Sequence, residues 1–157
     1  VDEMQTVNAK GGLAPAEAFS IHRERLAEHA SEFDPNVRVR IERGGNVTAA
    51  DYVDMMQARG RLVRAMDAQL SSFDAWIMPT TAIVAPTIAQ MQDTHTFNVK
   101  NMLLLRNTMT WNFFDNCAIS IPILGSGLPV GLMLVGRNGH DRRLFEIAAG
   151  IERLFAA

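Results

Sequence analysis

At 157 residues, with 48% hydrophobic and 20% charged side chains, the sequence has the balance of a folded chain and not of a disordered one. Its net charge of -2, from 15 basic and 17 acidic residues with no long basic run, excludes the electrostatic footprint of a nucleic-acid binder and of a polybasic membrane contact. The single cysteine, Cys117, excludes an internal disulfide and a zinc-type cysteine cluster, and fits a reducing, cytoplasmic setting.

The length suits one compact domain and is short for two. No apolar run approaches the ~20 residues that span a bilayer. Val1-Asp2-Glu3-Met4 is acidic and lacks an apolar core, so it does not read as a signal peptide. With valine at position 1, the chain is expected to be a piece of a longer one.

Lys10-Gly11-Gly12 breaks the chain, and Pro15 then suits the start of a helix. From there to Phe33, Phe19, Leu26 and Phe33 recur at seven-residue spacing with Ala30 between them, one apolar stripe flanked by charge. Asp34-Pro35 supplies a cap and a first-turn proline. The segment that follows, Val37 to Ile41, alternates like a strand, but its Asp-Pro entry and Gly44-Gly45 exit favour a short helix.

Thr48 and Asp51 resemble a capping box. The stretch after them, to about Ser72, carries Val53, Met56, Leu62, Val63, Met66 and Leu70 at helical spacing and is expected to be the longest helix. Phe73-Asp74 ends it. Ala75 to Met78 reads as a short buried strand closed by Pro79. Residues 80–101 show little periodicity and predict a long loop with one helical turn, and loops of that length in compact domains usually carry function.

A helix is expected over 102–114. Ala118 to Ile123 and Val130 to Val135 read as two strands joined through Gly125-Ser126-Gly127, an antiparallel hairpin with a wide loop. Finally Asp141 is expected to cap a helix whose face is Leu144, Ile147, Ala148, Ile151, Leu154 and Phe155. No internal repeat or low-complexity tract is present.

The residues that do chemistry elsewhere fall into framework positions here. His22, His29, His95 and His140 include no pair at metal-ligand spacing on one face, so no metal site is expected. Ser126 sits in Gly-Ser-Gly between two strands, which makes a turn and not a nucleophile elbow. Cys117 opens an apolar strand and reads as a small buried hydrophobe. Gly136-Arg137-Asn138-Gly139 lacks the lysine of a phosphate loop and reads as a strand-to-helix connection. Asp74, Asp115 and Asp141 suit helix boundaries, and Arg40, Arg43, Arg59 and Arg64 a solvated face.

What stands out is an ordered series of local patterns. Gly11-Gly12-Leu13 precedes Glu17-Ala18 and His22, then Asp34-Pro35 with Arg40-Ile41 and Gly44, then Ala50-Asp51-Tyr52, Gln57 and Arg59. Phe73-Asp74-Ala75 leads to Pro79-Thr80-Thr81 and Ala85-Pro86. Arg106-Asn107-Thr108, Asn112 and Ala118-Ile119-Ser120-Ile121-Pro122 follow, and then the run from Gly127-Leu128-Pro129-Val130-Gly131 to Gly136. In that order they resemble the final third of amidase-signature enzymes, over nearly the whole chain. The Pro-Thr-Thr segment and the Gly-Leu-Pro-Val-Gly hairpin are the most specific parts.

The resemblance implies hydrolysis of carboxylic amides by a nucleophilic serine, a bridging serine and a lysine, with backbone N–H groups stabilising the oxyanion. In the family these lie upstream, in a Gly/Ser-rich stretch that has no counterpart here. Lys10 and Lys100, the only lysines, stand in no matching motif, so no catalytic residue carries over. The expected fold is α/β, a small mixed sheet packed with helices, with residues 1–157 as the C-terminal portion of the amidase-signature domain and its catalytic N-terminal portion absent.

For the site, the resemblance points to a pocket wall at Thr80 and Thr81 and on the helix carrying Arg106, Asn107, Trp111 and Asn112. It implies no cofactor. The implied partners are the missing portion of the same enzyme and a small-molecule amide, with self-association of the chain also expected. Where many members have glycine and proline before the strand, this chain has Asp115 and Cys117, a change that bears on loop shape and substrate choice. Two other readings stay open, a non-catalytic binding module and the amidase-like subunit of an aminoacyl-tRNA amidotransferase.

Overall fold

The computed structural model describes residues 2–123, 125 and 127–155. The chain divides near Leu62 into two compact units where its length suggested one.

The first unit, Val1–Leu62, is helical: α1 (Asp2–Asn8), α2 (Leu13–His29), α3 (Pro35–Arg43) and the beginning of α4 (Ala49–Leu70). Asp34 caps α3 as expected, its carboxylate accepting from the N–H groups of Asn36 and Val37, and this local bonding outweighs the strand-like alternation of the segment. Gly44 lies so close to the Pro15 carbonyl that a side chain there would collide with backbone. The expected capping box forms at the start of α4, with the Asp51 N–H donating to Thr48 Oγ1 at 3.1 Å and that hydroxyl donating to the Asp51 carboxylate at 2.6 Å. Within this unit Met55 is buried, while Val53 and Met56, both assigned to the apolar stripe, are exposed. Apolar spacing marks a stripe, but it does not choose between neighbouring positions at its border.

The second unit, Val63–Ala157, holds the end of α4, then β1 (Trp76–Pro79), α5 (Thr94–Phe113), β2 (Cys117–Ile123), β3 (Val130–Gly136) and α6 (Asp141–Phe155). The strands form one sheet in the order β1-β3-β2. Both pairings are antiparallel, Ile77 opposite Leu134 on one side and Ile119 opposite Leu134 on the other. The small helix-covered sheet of the expected α/β class is therefore present, and these three strands carry no mixed direction. Both edge strands contain a proline, Pro79 and Pro122, which suits positions that need not donate to a neighbour.

Alternation along the middle strand builds two cores. Leu132 and Leu134 face Leu144 and Ala148 of α6, together with Cys117, Ile119 and Ile121 of β2. Met133 and Val135 face Trp111 of α5, with Met66, Trp76 and Met78 around it. The second unit is thus a three-layer sandwich, with helices on both faces of the sheet.

Several expectations are corrected here. The long loop expected over 80–101 ends early, because α5 begins at Thr94 and not at 102. Asp93 caps it by accepting from the Thr96 N–H at 2.7 Å, and the first turns are polar, so no apolar stripe announces them. β1 is half exposed and not buried, since Ile77 lies on an edge strand and is 64% exposed. Asp141 is the first residue of α6 and not its cap. Leu154 and Phe155 extend the apolar face of α6 but are exposed, as the helix has run past the sheet by then. Of the expected hairpin turn, Gly125 and Gly127 have positive φ, and Ser126 lies outside the described residues.

Candidate functional site

The β1–β3–β2 sheet ends in a groove of about 650 Å³ on the face that carries Trp111, and the geometry there follows from β pairing. Beyond Pro79, the Thr80 N–H donates to the Gly131 carbonyl at 2.8 Å, which prolongs the ladder by one residue. Thr80 then falls on the same face as Trp76 and Met78, and Ser120 reaches that face from β2. Their hydroxyls are hydrogen-bonded at 2.6 Å across the middle strand. Gly131 lies between them, and a methyl at its position would collide with both hydroxyl oxygens. Thr81 also lines the groove, its hydroxyl donating to the Ile83 carbonyl at 2.9 Å and so holding the loop that leaves β1. Pro122 and Leu128 add apolar wall.

The helix residues occupy different depths. Asn107 and Trp111 are four apart and share the face of α5 that meets the sheet. Asn107 Nδ2 donates to the Pro79 carbonyl at 2.8 Å, and so holds the end of β1 from which Thr80 departs. Trp111 lies one turn further on and is 3% exposed. Its ring meets Trp76 edge-on at 5.5 Å and its Nε1–H donates to Met78 Sδ at 3.1 Å. Asn112, one residue round the helix, is exposed, and Arg106 is exposed with its Nε–H directed at Asn107 Oδ1 at 3.4 Å. Thr80 and Thr81 therefore line the groove, Asn107 supports it, and Trp111 and Asn112 stand outside its lining. Ser120 and Gly131 belong to the ordered patterns of the sequence but not to the pocket residues expected from it. The signal available was a lone serine alternating with apolar residues in a strand, opposite a strand glycine.

Two other titratable contacts of this unit serve the framework. Arg137 grips Asp67 with two hydrogen bonds of 2.8 and 2.7 Å, which holds the Asp67 carboxyl below its ordinary range. Asn138 donates to the Asp115 carbonyl at 2.7 Å, so the segment read as a strand-to-helix connection is pinned as one. Burial pushes the Cys117 thiol up, the reverse of what a nucleophile needs, and its Sγ–H donates to the Arg137 carbonyl at 3.1 Å.

In the first unit a larger groove, about 860 Å³, runs past Phe19, Ile21 and Tyr52. Two of its polar groups bond each other: Tyr52 donates to Glu17 at 3.0 Å, and this contact pushes the phenol up. Lys10 sits 3.0 Å from Asp54 and 3.2 Å from Asp51. Among the described residues no cluster of three His, Cys, Asp or Glu is arranged to hold a metal, and no helix is long and apolar enough to cross a membrane.

A family model described as Amidase matches residues 2–145. The 2-amino-5-chloromuconic acid deaminase of Comamonas testosteroni is 28% identical over 155 residues, which is 98% of this chain and 34% of that protein. A subunit of the glutamyl-tRNA(Gln) amidotransferase of Thermotoga maritima is 30% identical over 127 residues, 77% of this chain and 26% of that protein. A crystal structure of an amidase superposes with a TM-score of 0.79 at 24% identity, over 97% of this chain and 36% of that one, a likeness of fold. The chain thus spans no more than about a third of the length of these relatives.

Proposed function

Because this chain belongs to the amidase family, we propose that it acts as the C-terminal scaffold and one wall of the substrate pocket in an enzyme that cleaves carboxylic amides to acid and ammonia or amine. The observation that carries this reading is the groove at the end of the sheet, where the Pro-Thr-Thr segment and the Gly-Leu-Pro-Val-Gly hairpin meet around Gly131. Crevices at strand ends of α/β sheets, with apolar walls and a few convergent polar groups, are where small molecules bind.

The bond chemistry belongs to residues outside this segment. Lys10 is engaged by two carboxylates, and Lys100 donates to Gln90 at 2.9 Å, so neither stands beside a serine as a general base. The partner is then the remainder of an amidase chain, with β1 and β2 at the sheet's two edges as the strands available to it. Similarity to part of an amidotransferase keeps a second reading in view, in which the ammonia released feeds a transferase.

Two measurements test the proposal. The 157-residue chain is expected to release no ammonia from a panel of simple amides, and turnover that tracks the protein peak would remove the scaffold role. Titration of the labelled chain with those amides should shift the resonances of Thr80, Thr81 and Gly131. Shifts confined to the groove of the first unit would place the pocket wall elsewhere.

A further inference from the structure

We propose that Asn138 is a site of spontaneous self-modification, at which the side-chain amide is lost through a succinimide. The aspartyl or isoaspartyl product then unties the β3–α6 turn from the turn between α5 and β2. The site is separate from the pocket wall and uses no residue of that groove.

The sequence supplies the reactive pair. Asn138 precedes Gly139, and no other asparagine of the chain precedes a glycine. The reaction needs the backbone nitrogen of the following residue to reach the asparagine Cγ, and a side chain on that residue obstructs the approach. Gly139 has none, and a methyl built at its Cα would meet nothing within 4 Å.

The fold presents this pair in the open. Arg137 to His140 form a turn closed by the His140 N–H, which donates to the Arg137 carbonyl at 3.1 Å. Asn138 and Gly139 are its two central residues, both exposed, and Gly139 has a φ of 74°. Among the described residues the Gly139 N–H has no acceptor, so the attacking nitrogen is not held in the ladder of a strand or helix. Asn107 and Asn112, by contrast, lie within α5, where helical bonding fixes the backbone nitrogen that follows each.

The step balances with water and hydroxide alone. The Gly139 nitrogen gives its proton to hydroxide and bonds to Asn138 Cγ. The Cγ–Nδ2 bond breaks, and the departing nitrogen takes a proton from water to leave as ammonia. Water then opens the five-membered imide at either carbonyl. One opening leaves an aspartyl residue, and the other leaves an isoaspartyl linkage in which the main chain runs through Cγ.

The present role of the amide defines what is lost. Asn138 Nδ2 donates to the Asp115 carbonyl at 2.7 Å, a tie between residues 23 apart. A carboxylate can only accept, so the product faces that carbonyl with no proton to share. The chain also gains one negative charge on its net -2, which lets the converted form be isolated by anion exchange.

The test holds the 157-residue chain at mildly alkaline pH in water carrying heavy oxygen, followed by peptide mapping that separates aspartyl from isoaspartyl products. Asn138 should convert several-fold faster than any other asparagine, with heavy oxygen incorporated and isoaspartyl product present. Gly139→Ala should slow the conversion several-fold. Misfolding would expose the asparagine and speed the reaction, so a slower rate cannot come from loss of fold. Ammonia should appear in equal amount to the converted chain and should not rise with added amide, which separates this reaction from turnover. The isolated converted chain and Asn138→Asp should both melt below the parent. Asn138 left intact while other asparagines convert, or a rate unchanged in Gly139→Ala, overturns the site. Melting of the converted chain at the parent temperature overturns the untying of the two turns.

Discussion

The hydroxyl oxygens of Thr80 and Ser120 stand 2.6 Å apart across the middle strand of the sheet, over the bare Cα of Gly131. Residues 40 apart in sequence meet there because one glycine leaves the space. Gly131→Ala should force the hydroxyls apart and lower stability by about 1–3 kcal/mol, the usual range for overpacking. Removing one obstacle should restore part of that loss, so Gly131→Ala with Ser120→Ala should be less damaging than the sum of the single changes. Urea denaturation of the four proteins measures the coupling. Strict additivity would mean that the pair does not crowd that position.

Arg137 and Asp67 tie the end of α4 to the segment after β3. Asp67 is held below the ordinary carboxylate range by the Arg137 hydrogen bonds, so its folded value lies beneath its unfolded one. Such a group contributes stability that is fully present above the unfolded value, about 3.9, and is lost as pH falls through the folded value. The melting temperature of Asp67→Asn should therefore lie below that of the parent at neutral pH, and the two should converge under acid conditions. Both side chains are more than a third exposed, so salt should narrow the gap as well. A gap unchanged between neutral and strongly acid pH would remove the ion pair as its cause.

Asp115 is the one non-glycine among the described residues with positive φ, at 62°. The glycine that the resemblance leads one to expect here would suit a backbone in the left-handed region, which aspartate also tolerates better than most residues. Asp115→Gly should hold the melting temperature near its parent value. Asp115→Val places a β-branched side chain in that region and should cost about 1–2 kcal/mol, read from the denaturation midpoint. Equal tolerance of valine and glycine would show that the turn changes conformation to accept them.

Local bonding made most of the elements legible. Asp34 before Pro35, Thr48 before Asp51 and the Gly-flanked hairpin each announce a boundary through backbone groups within a few residues. Where a start depends on a single cap before a polar turn, as at Asp93, apolar periodicity is silent and points to a helix start that is too late. The groove was half legible. Thr80 and Thr81, which line it, stand in the Pro-Thr-Thr motif, whereas the approach of Ser120 to Thr80 over Gly131 follows from strand register, which a sequence does not display. Trp111 shows the converse: an aromatic residue near a strand suggests a pocket, and only the neighbouring side chains show that its ring is enclosed.

Trp111 and Asn107 share one face of α5, and their substitutions should separate framework from pocket. Trp111 is 3% exposed, packs on Met133 and Val135, and donates to Met78 Sδ at 3.1 Å. Trp111→Ala should cost about 3–5 kcal/mol through lost burial and the cavity left behind, and Trp111→Phe considerably less. Asn107→Ala removes one hydrogen bond to the Pro79 carbonyl and should cost only about 1 kcal/mol. That small loss falls where Thr80 leaves the strand, so Asn107→Ala should weaken amide binding at the groove while the chain stays folded. Trp111→Phe should lower the melting temperature and leave the relative affinities for different amides unchanged, since its ring does not line the groove. Thermal unfolding alongside amide titration reads both quantities on the same samples. If Trp111→Phe reorders the preference among amides at unchanged stability, the indole belongs to the recognition surface. If Asn107→Ala changes stability alone, the hold on Pro79 is not what presents Thr80 to a ligand.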